Sequence, residues 1–187
     1  PTLKKYSDMN PEERQKSLFT ISFAAYTATP APAPAPAPAP TYRYVRIIRD
    51  KDGDDHSMNL AEVEVFSGGT NIASGKTVTA RALYNSGYFP LTNLVDGNKT
   101  NFAHTNNEAV EWFQIDLGQE YDIDKVVITN RTDCCQGRMR NTKIQLSKSA
   151  DMSSPKESRV VTTEEAPRAT ITWSPKSGAE LTAAKAN

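Results

Sequence analysis

Short stretches in which apolar and polar residues alternate dominate the sequence from residue 42 onward. Such alternation places apolar side chains on one face of an extended chain, so it predicts half-buried β-strands. In one stretch, Val63 and Val65 alternate with Glu62 and Glu64. The same reasoning predicts strands at residues 42–49, 60–66, 111–118, 125–129, 143–147, 159–162 and 170–173. The pattern therefore predicts an all-β domain.

The first 29 residues follow other patterns. Asn10 precedes Pro11, and Glu13 stands three residues after Asn10, which is the signature of a capped helix start. A short helix ending near Leu18 or Phe19 is expected, followed by a strand at residues 19–26. These elements are too small for a core of their own. We therefore expect residues 1–29 to dock onto another protein or onto a second copy of the chain.

Proline and alanine alternate without interruption over residues 30–40. Proline disfavours helix in the residue before it, so an extended polyproline spacer is expected. At about 3.1 Å per residue it reaches roughly 34 Å. The predicted organisation is a docking segment (1–29), a rigid linker (30–40), a β domain (41–175), which we call the head, and a tail (176–187).

Charge and hydropathy narrow the classes of partner. The 187 residues carry a net charge of +0, which argues against nucleic acid or an anionic membrane surface as the main partner. The sequence contains no run of 18 apolar residues, so no membrane span is expected.

The closest cluster of charged and sulfur-containing side chains follows the strand predicted at residues 125–129. It lies in a loop of the kind where binding residues tend to lie. It holds two arginines, an aspartate and both cysteines of the chain: Arg131, Asp133, Cys134, Cys135 and Arg138. Guanidinium forks match a carboxylate, a phosphate or the hydroxyls of a sugar. Asp133 is expected to orient a neighbouring arginine, because two adjacent guanidiniums repel each other. The loop is therefore predicted to bind one of these three kinds of acceptor.

The spacing of these residues resembles a known signature. Twenty-six residues separate His104 from Arg131, one separates Arg131 from Asp133, and four separate Asp133 from Arg138. With the adjacent cysteine pair, this pattern is similar to the sugar-binding motif of the F-type lectins (fucolectins), a branch of the discoidin-like β-sandwiches. The resemblance implies a jelly-roll sandwich over residues 42–173. It also implies that His104, Arg131 and Arg138 grip α-L-fucose, with His104 donating from a ring nitrogen.

The order of the strands departs from that family. Residues 44–47 and 60–65 resemble segments that usually close a discoidin-like domain at its C-terminus, but here they come first. We infer a permuted sandwich, in which the strand at residues 42–49 pairs with strands from the C-terminal half.

Cys134 and Cys135 allow more than one interpretation. Adjacent α-carbons lie about 3.8 Å apart, less than the usual disulfide span of about 4.4–6.8 Å, so a bridge forms only as a strained eight-membered ring. The resemblance implies such a ring, which would pack against the apolar face or methyl group of a deoxy sugar. The alternatives are two reduced thiols or, less favoured by the spacing, a zinc site.

Residues 91–98 resemble the calcium loop of the family. Calcium prefers about six to eight oxygen ligands. Asn93, Asp96 and Asn98 would supply oxygens, and the permuted order suggests that Glu62 and the carbonyl of Ala61 complete the site. The alternative is an ordinary Asp-Gly turn.

Other residues near the expected pocket carry weaker signals. Tyr84, Tyr88 and Phe89 lie in an earlier loop of the kind that can form a pocket wall. Asn98 and Asn130 begin glycosylation sequons, which occur often by chance, and a glycan on Asn130 would crowd the pocket.

The sequence argues against an enzyme and leaves two candidate functions. Sugar hydrolysis needs two carboxylates facing each other across a cleft, and Asp133 has no obvious partner. The first function is a lectin head on a stalk, which binds glycans with terminal fucose, acts multivalently, and lies outside the cell or on a particle surface such as a virion. The second is a structural component of a virion, fibre or cell wall that reuses the lectin fold with little or no sugar binding.

Overall fold

The computed structural model describes residues 4–19, 38–50 and 57–175. The strand predicted after residue 19, most of the predicted linker and the predicted tail lie outside these residues. The chain divides into two compact units, Pro1–Pro36 and Ala37–Asn187.

The first unit contains a 3-10 turn at Tyr6–Asp8 and the helix α1 at Pro11–Phe19. The Asn10 side-chain oxygen accepts a hydrogen bond from the Glu13 backbone at 2.8 Å, and the Asn10 backbone donates to the Glu13 carboxylate at 3.0 Å. This reciprocal pair is the predicted capping box. The hydrogen bond from the Asn10 backbone holds the pKa of Glu13 below its ordinary value.

The second unit is built from antiparallel strands. In its described residues these are β1 (Thr41–Asp50), β2 (Asn59–Ser67), β3 (Thr70–Asn71), β4 (Thr77–Ala80), β5 (Ala103–His104), β6 (Val110–Asp122), β7 (Lys125–Asn130), β8 (Lys143–Ser147), β9 (Glu157–Val160) and β10 (Thr170–Trp173). One sheet has the order β4-β6-β1-β8-β9, and the other has β10-β7-β2-β3, with β5 also paired to β2. The predicted all-β sandwich is confirmed.

Strand β1 lies in the middle of its sheet. It pairs with β6, with Ile47 opposite Phe113, and with β8, with Ile47 opposite Ile144. The pairing with β8 joins an early strand to the C-terminal half of the chain, as the permuted order predicts.

The core lies between the inner faces of the two sheets. The alternation predicted for β6 is observed, because Phe113, Ile115 and Leu117 are fully buried. The opposite sheet contributes the buried apolar residues Leu60, Val63, Val65, Val126, Ile128 and Ile171. Each such side chain stabilises the fold by about 1.5–3 kcal/mol relative to exposure.

The pairing of β2 brings distant parts of the chain to one end of the sandwich. Asn59 of β2 pairs with His104 of β5, and Leu60 pairs with Asn130 at the end of β7. The register then shifts between Leu60 and Glu62, so Ala61 is the extra residue, as in a β-bulge. The polar loop that follows Asn130 therefore begins next to His104.

Candidate functional site

Asn130 anchors the loop that follows β7. Its side chain is 1% exposed, and its Nδ2 donates to the carbonyls of Gln136 at 3.1 Å, Ala166 at 2.8 Å and Arg168 at 3.3 Å. Its Oδ1 accepts from the backbone of Arg131 at 3.0 Å. This side chain is part of the interior in the folded protein, so the sequon at Asn130 presents no glycan attachment site beside the pocket.

Arg131 is held by the aspartate two residues later. Its Nε and Nη2 donate to the two carboxylate oxygens of Asp133, the second at 2.7 Å. The hydrogen bond from Arg131 lowers the pKa of Asp133 to about 2. This is the orienting contact expected from the sequence. It also occupies the Nε–Nη2 edge of the guanidinium, so Nη1 is the nitrogen that lies outside this ion pair.

The tautomer of His104 follows from its neighbour. Its Nδ1 lies 2.6 Å from the carbonyl oxygen of Thr105. A carbonyl only accepts, so Nδ1 carries the hydrogen, and in the neutral ring Nε2 is an acceptor. Nη1 of Arg138 lies 3.3 Å from Nε2. The backbone thus uses the Nδ1 hydrogen of His104, and the lone pair of a neutral Nε2 faces Arg138, so His104 donates to a sugar from Nε2 only when its ring is protonated.

A cleft of about 500 Å³ brings these groups together. Of the residues expected to bind sugar, it is lined by His104, Arg131, Cys135 and Arg138. Asp133 and Cys134 are in the same loop but are not part of the lining. The other lining residues are Ser57, Tyr84, Thr105, Asn106 and Asn107. Of these, only Tyr84 was expected from the sequence, although the polar run directly after His104 was a signal for the last three.

Cys134 and Cys135 form a disulfide. The backbone of Cys135 is left-handed, with φ of 66°, a conformation that non-glycine residues seldom adopt. The backbone N–H of Cys134 donates to Asp133 at 2.9 Å, and the backbone N–H of Arg138 donates to the carbonyl of Cys135 at 3.1 Å. The disulfide thus links the carboxylate that orients Arg131 to the turn that carries Arg138. The alternatives of free thiols and a zinc site do not apply to this structure.

Aromatic rings form the wall behind the arginine. Phe102 stacks on Phe89, with ring centroids 4.8 Å apart, and Tyr84 lies 5.2 Å from the ring of His104. The guanidinium carbon of Arg131 sits 4.1 Å above the Phe102 ring. Phe102 was missed from the sequence, because nothing near residue 102 indicates that Arg131 will lie across it.

The residues predicted to bind calcium lie on two segments that the fold brings together. Glu62 is fully buried, and both its carboxylate oxygens lie 3.2 Å from the backbone N–H of Gly97. Burial raises the pKa of Glu62 from 4.5 to about 7. Oδ1 of Asp96 accepts from the Asn98 backbone at 2.8 Å, and Asn93 donates to the carbonyl of Phe102 at 2.9 Å.

The donor set around Glu62 fits a hard cation. A buried carboxylate opposed by one backbone N–H is poorly compensated, and oxygen atoms are the ligands that calcium prefers. Ala61, whose carbonyl was expected to join the site, is buried beside Glu62. In the described residues, no cluster of three or more histidine, cysteine, aspartate or glutamate side chains is placed to hold a metal. Any calcium site here would therefore depend on amide and backbone oxygens as well as carboxylates.

Within the described part of the chain, no helix is both long enough and apolar enough to span a bilayer.

Comparisons with known proteins agree with the β-sandwich fold. Residues 93–182 match the family model of the NedA-like, galactose-binding domain of F5/F8 type C. Fucolectin-6 of Anguilla japonica is 37% identical over 75 residues, which cover 37% of this chain and 40% of the relative. Fucolectin of Anguilla anguilla is 39% identical over 61 residues, covering 29% and 39%. The chain thus spans about two fifths of the length of these curated relatives. No solved structure matches.

These matches make the head similar to the galactose-binding domain of F5/F8 type C over residues 93–182, and similar to the fucolectins over part of its length. The names of the matched relatives are those of binding proteins, in agreement with the prediction that the chain is not an enzyme.

Proposed function

We propose that the head binds glycans that end in fucose or a similar deoxy sugar. The observation that carries this proposal is the convergence of His104, Arg131, Cys135 and Arg138 on one cleft. These residues come from two segments, and together they offer cationic donors and an apolar sulfur surface. That combination suits a ring with several hydroxyls and one apolar face.

The binding chemistry follows from the orientation of each group. Arg131, through its Nη1 side, and Arg138 donate to hydroxyl oxygens of the sugar, and such charge-assisted hydrogen bonds contribute about 1.5–3 kcal/mol each. His104 lines the same cleft and holds Nη1 of Arg138 through Nε2, which orients that arginine toward the sugar. The Cys134–Cys135 disulfide presents an apolar surface to the methyl group or the C–H face of the sugar.

Calcium is part of the proposal. Asn93, Asp96, Asn98, Glu62 and the carbonyl of Ala61 would hold the ion. A bound cation would supply the positive charge that the buried carboxylate lacks, and these residues would stiffen the loop beside the cleft. Thermal melts in calcium and in EDTA test this point. A melting temperature unchanged by calcium, with no calcium found in the purified protein, would argue against it.

The disulfide and the single pocket bear on the setting of the whole chain. A disulfide is typical of oxidising compartments, which supports a location outside the cell or on the surface of a particle such as a virion or a fibre. One pocket of this kind binds weakly, so several heads on one assembly would be needed for useful avidity. Residues 1–29 would provide the contact with a protein partner or with other copies.

The test is calorimetric titration of the full chain with L-fucose. Saturable binding is expected, and it should be lost in Arg131→Ala. Arg43 is the matched control, because it also forms a two-pronged ion pair, with Asp116 at 2.7 and 2.8 Å. Arg43→Ala should bind as the wild type does. A folded wild type that gives no heat with fucose or related sugars would overturn the proposal, and defective assembly of Arg131→Ala would then favour the structural role.

A further inference from the structure

The guanidinium of Arg131 is held from two directions. Asp133 takes its Nε edge, and the Phe102 ring lies against its face at 4.1 Å. The carboxylate alone restrains the orientation of Arg131 only weakly, because the Asp133 side chain is 60% exposed and exposed ion pairs contribute little free energy. A planar cation on an aromatic ring gains a further attraction and loses the freedom to tilt.

Phe102 is itself fixed on two sides. Its carbonyl accepts from Nδ2 of Asn93 at 2.9 Å, and its ring stacks on Phe89 with an angle of 19° between the planes. One ring face has no room for both a guanidinium and a stacked ring, so Phe102 lies between Phe89 and Arg131. The layers run from Phe89 through Phe102 to Arg131, and they tie the loop at residues 91–102 to the loop after β7.

We infer that Phe102 is a positioning residue for ligand binding: it holds Arg131 at the angle that turns its Nη1 side into the cleft. Phe102 is not part of the cleft lining, so it acts through Arg131 rather than by touching the ligand. The inference rests on the proposed sugar-binding function. It also assigns a route by which the segment carrying Asn93 acts on the cleft.

The experiment compares Phe102→Leu with Phe102→Tyr in the full chain. The leucine removes the ring and the tyrosine keeps it. Fucose affinity should fall about five- to tenfold in Phe102→Leu and stay close to wild type in Phe102→Tyr. Phe66 is the matched control, since its ring carries the Lys125 ammonium at 4.4 Å. Phe66→Leu should leave fucose affinity unchanged.

A second readout does not depend on sugar. The ring current of Phe102 shifts the NMR signal of the Arg131 Nε–H, and the ion pair with Asp133 slows its exchange with water. In Phe102→Leu the signal should move and broaden, whereas in Phe102→Tyr and Phe66→Leu it should stay in place. If Phe102→Leu does not fold, Phe102→Met takes its place, because methionine fills irregular space more readily.

The outcomes separate the two proposals. If the wild type binds no sugar, the proposed function fails and the Arg131 signal alone decides the role of Phe102. An Arg131 signal that is identical in Phe102→Leu and wild type overturns the positioning role. Normal fucose affinity in Phe102→Leu, in a wild type that binds fucose, overturns it as well.

Discussion

Replacing Glu62 by glutamine tests the electrostatics of the loop beside the cleft. The Glu62 carboxyl is fully buried, and burial raises its pKa from 4.5 to about 7. A raised folded-state pKa means that the folded protein holds a proton more tightly than the unfolded chain. The contribution of Glu62 to stability is therefore complete below pH 4.5 and is lost as the pH rises toward 7.

The size of this effect follows from the two pKa values. One pKa unit corresponds to about 1.36 kcal/mol, so the difference between 4.5 and about 7 is worth at most about 3 kcal/mol. In EDTA, the free energy of unfolding of the wild type should fall by up to that amount between pH 4.5 and 8, relative to Glu62→Gln. Glutamine keeps the shape and does not titrate.

In EDTA at pH 8 the wild type should be less stable than Glu62→Gln, and calcium should reverse this order. At pH 8 the ion would stabilise the wild type in proportion to its occupancy, whereas Glu62→Gln should respond much less. Urea unfolding at pH 5 and pH 8, with calcium and with EDTA, gives four free energies of unfolding for each protein to compare. Glu64→Gln is the control, because Glu64 is paired with Lys99 at 2.8 Å and lies outside the proposed ligand set.

Two results would refute this reasoning. The argument from burial fails if Glu62→Gln in EDTA loses stability with pH as the wild type does. The calcium proposal fails if wild type and Glu62→Gln gain equally from calcium.

Three further changes probe the cleft and its support. Reduction of the disulfide, or Cys134→Ser with Cys135→Ser, should weaken fucose binding roughly fourfold through lost apolar contact, measured by calorimetry with the fold checked by circular dichroism. Tyr84→Ala removes the ring packed on the imidazole in the cleft and should weaken fucose binding by about 0.5–1.5 kcal/mol, whereas Tyr88→Ala, outside the cleft lining, should not. Asn130→Ala removes the hydrogen-bond donor from three backbone carbonyls. The free energy of unfolding, measured in urea, should fall by about 1–3 kcal/mol. Unchanged stability would contradict the anchoring role of Asn130.

The strands could be predicted because their signal is local. Residues 143–147 and 170–173 were predicted at the bounds that the structure has, and the longer strands differ by a few residues at their ends. The strand predicted at 159–162 lies two residues earlier, at Glu157–Val160, because its register on β8 is set by pairing and not by its own sequence. The short strands β3, β4 and β5 were missed, since two to four residues carry too little pattern.

Some site residues were predicted and others were not, again because only some of them carry a local signal in the sequence. Arg131, Asp133 and Arg138 stand close together in one loop, so their chemistry could be recognised directly. His104 was found through the resemblance to a family, because nothing local ties it to residue 131. The partners of these groups, such as Thr105 at His104 and Phe102 at Arg131, were not predicted.

The sequence by itself determined the all-β class, the capped helix and the kinds of functional group that the loop after β7 offers. These depend on residue type and on spacings of a few positions. Only the tertiary structure decided that Ser57 and Asn107 share a cleft with that loop, and which nitrogens of Arg131 and His104 are already bonded within the protein. Those outcomes depend on pairing between segments far apart along the chain, and a side chain's remaining donors are known only once its partners are in place.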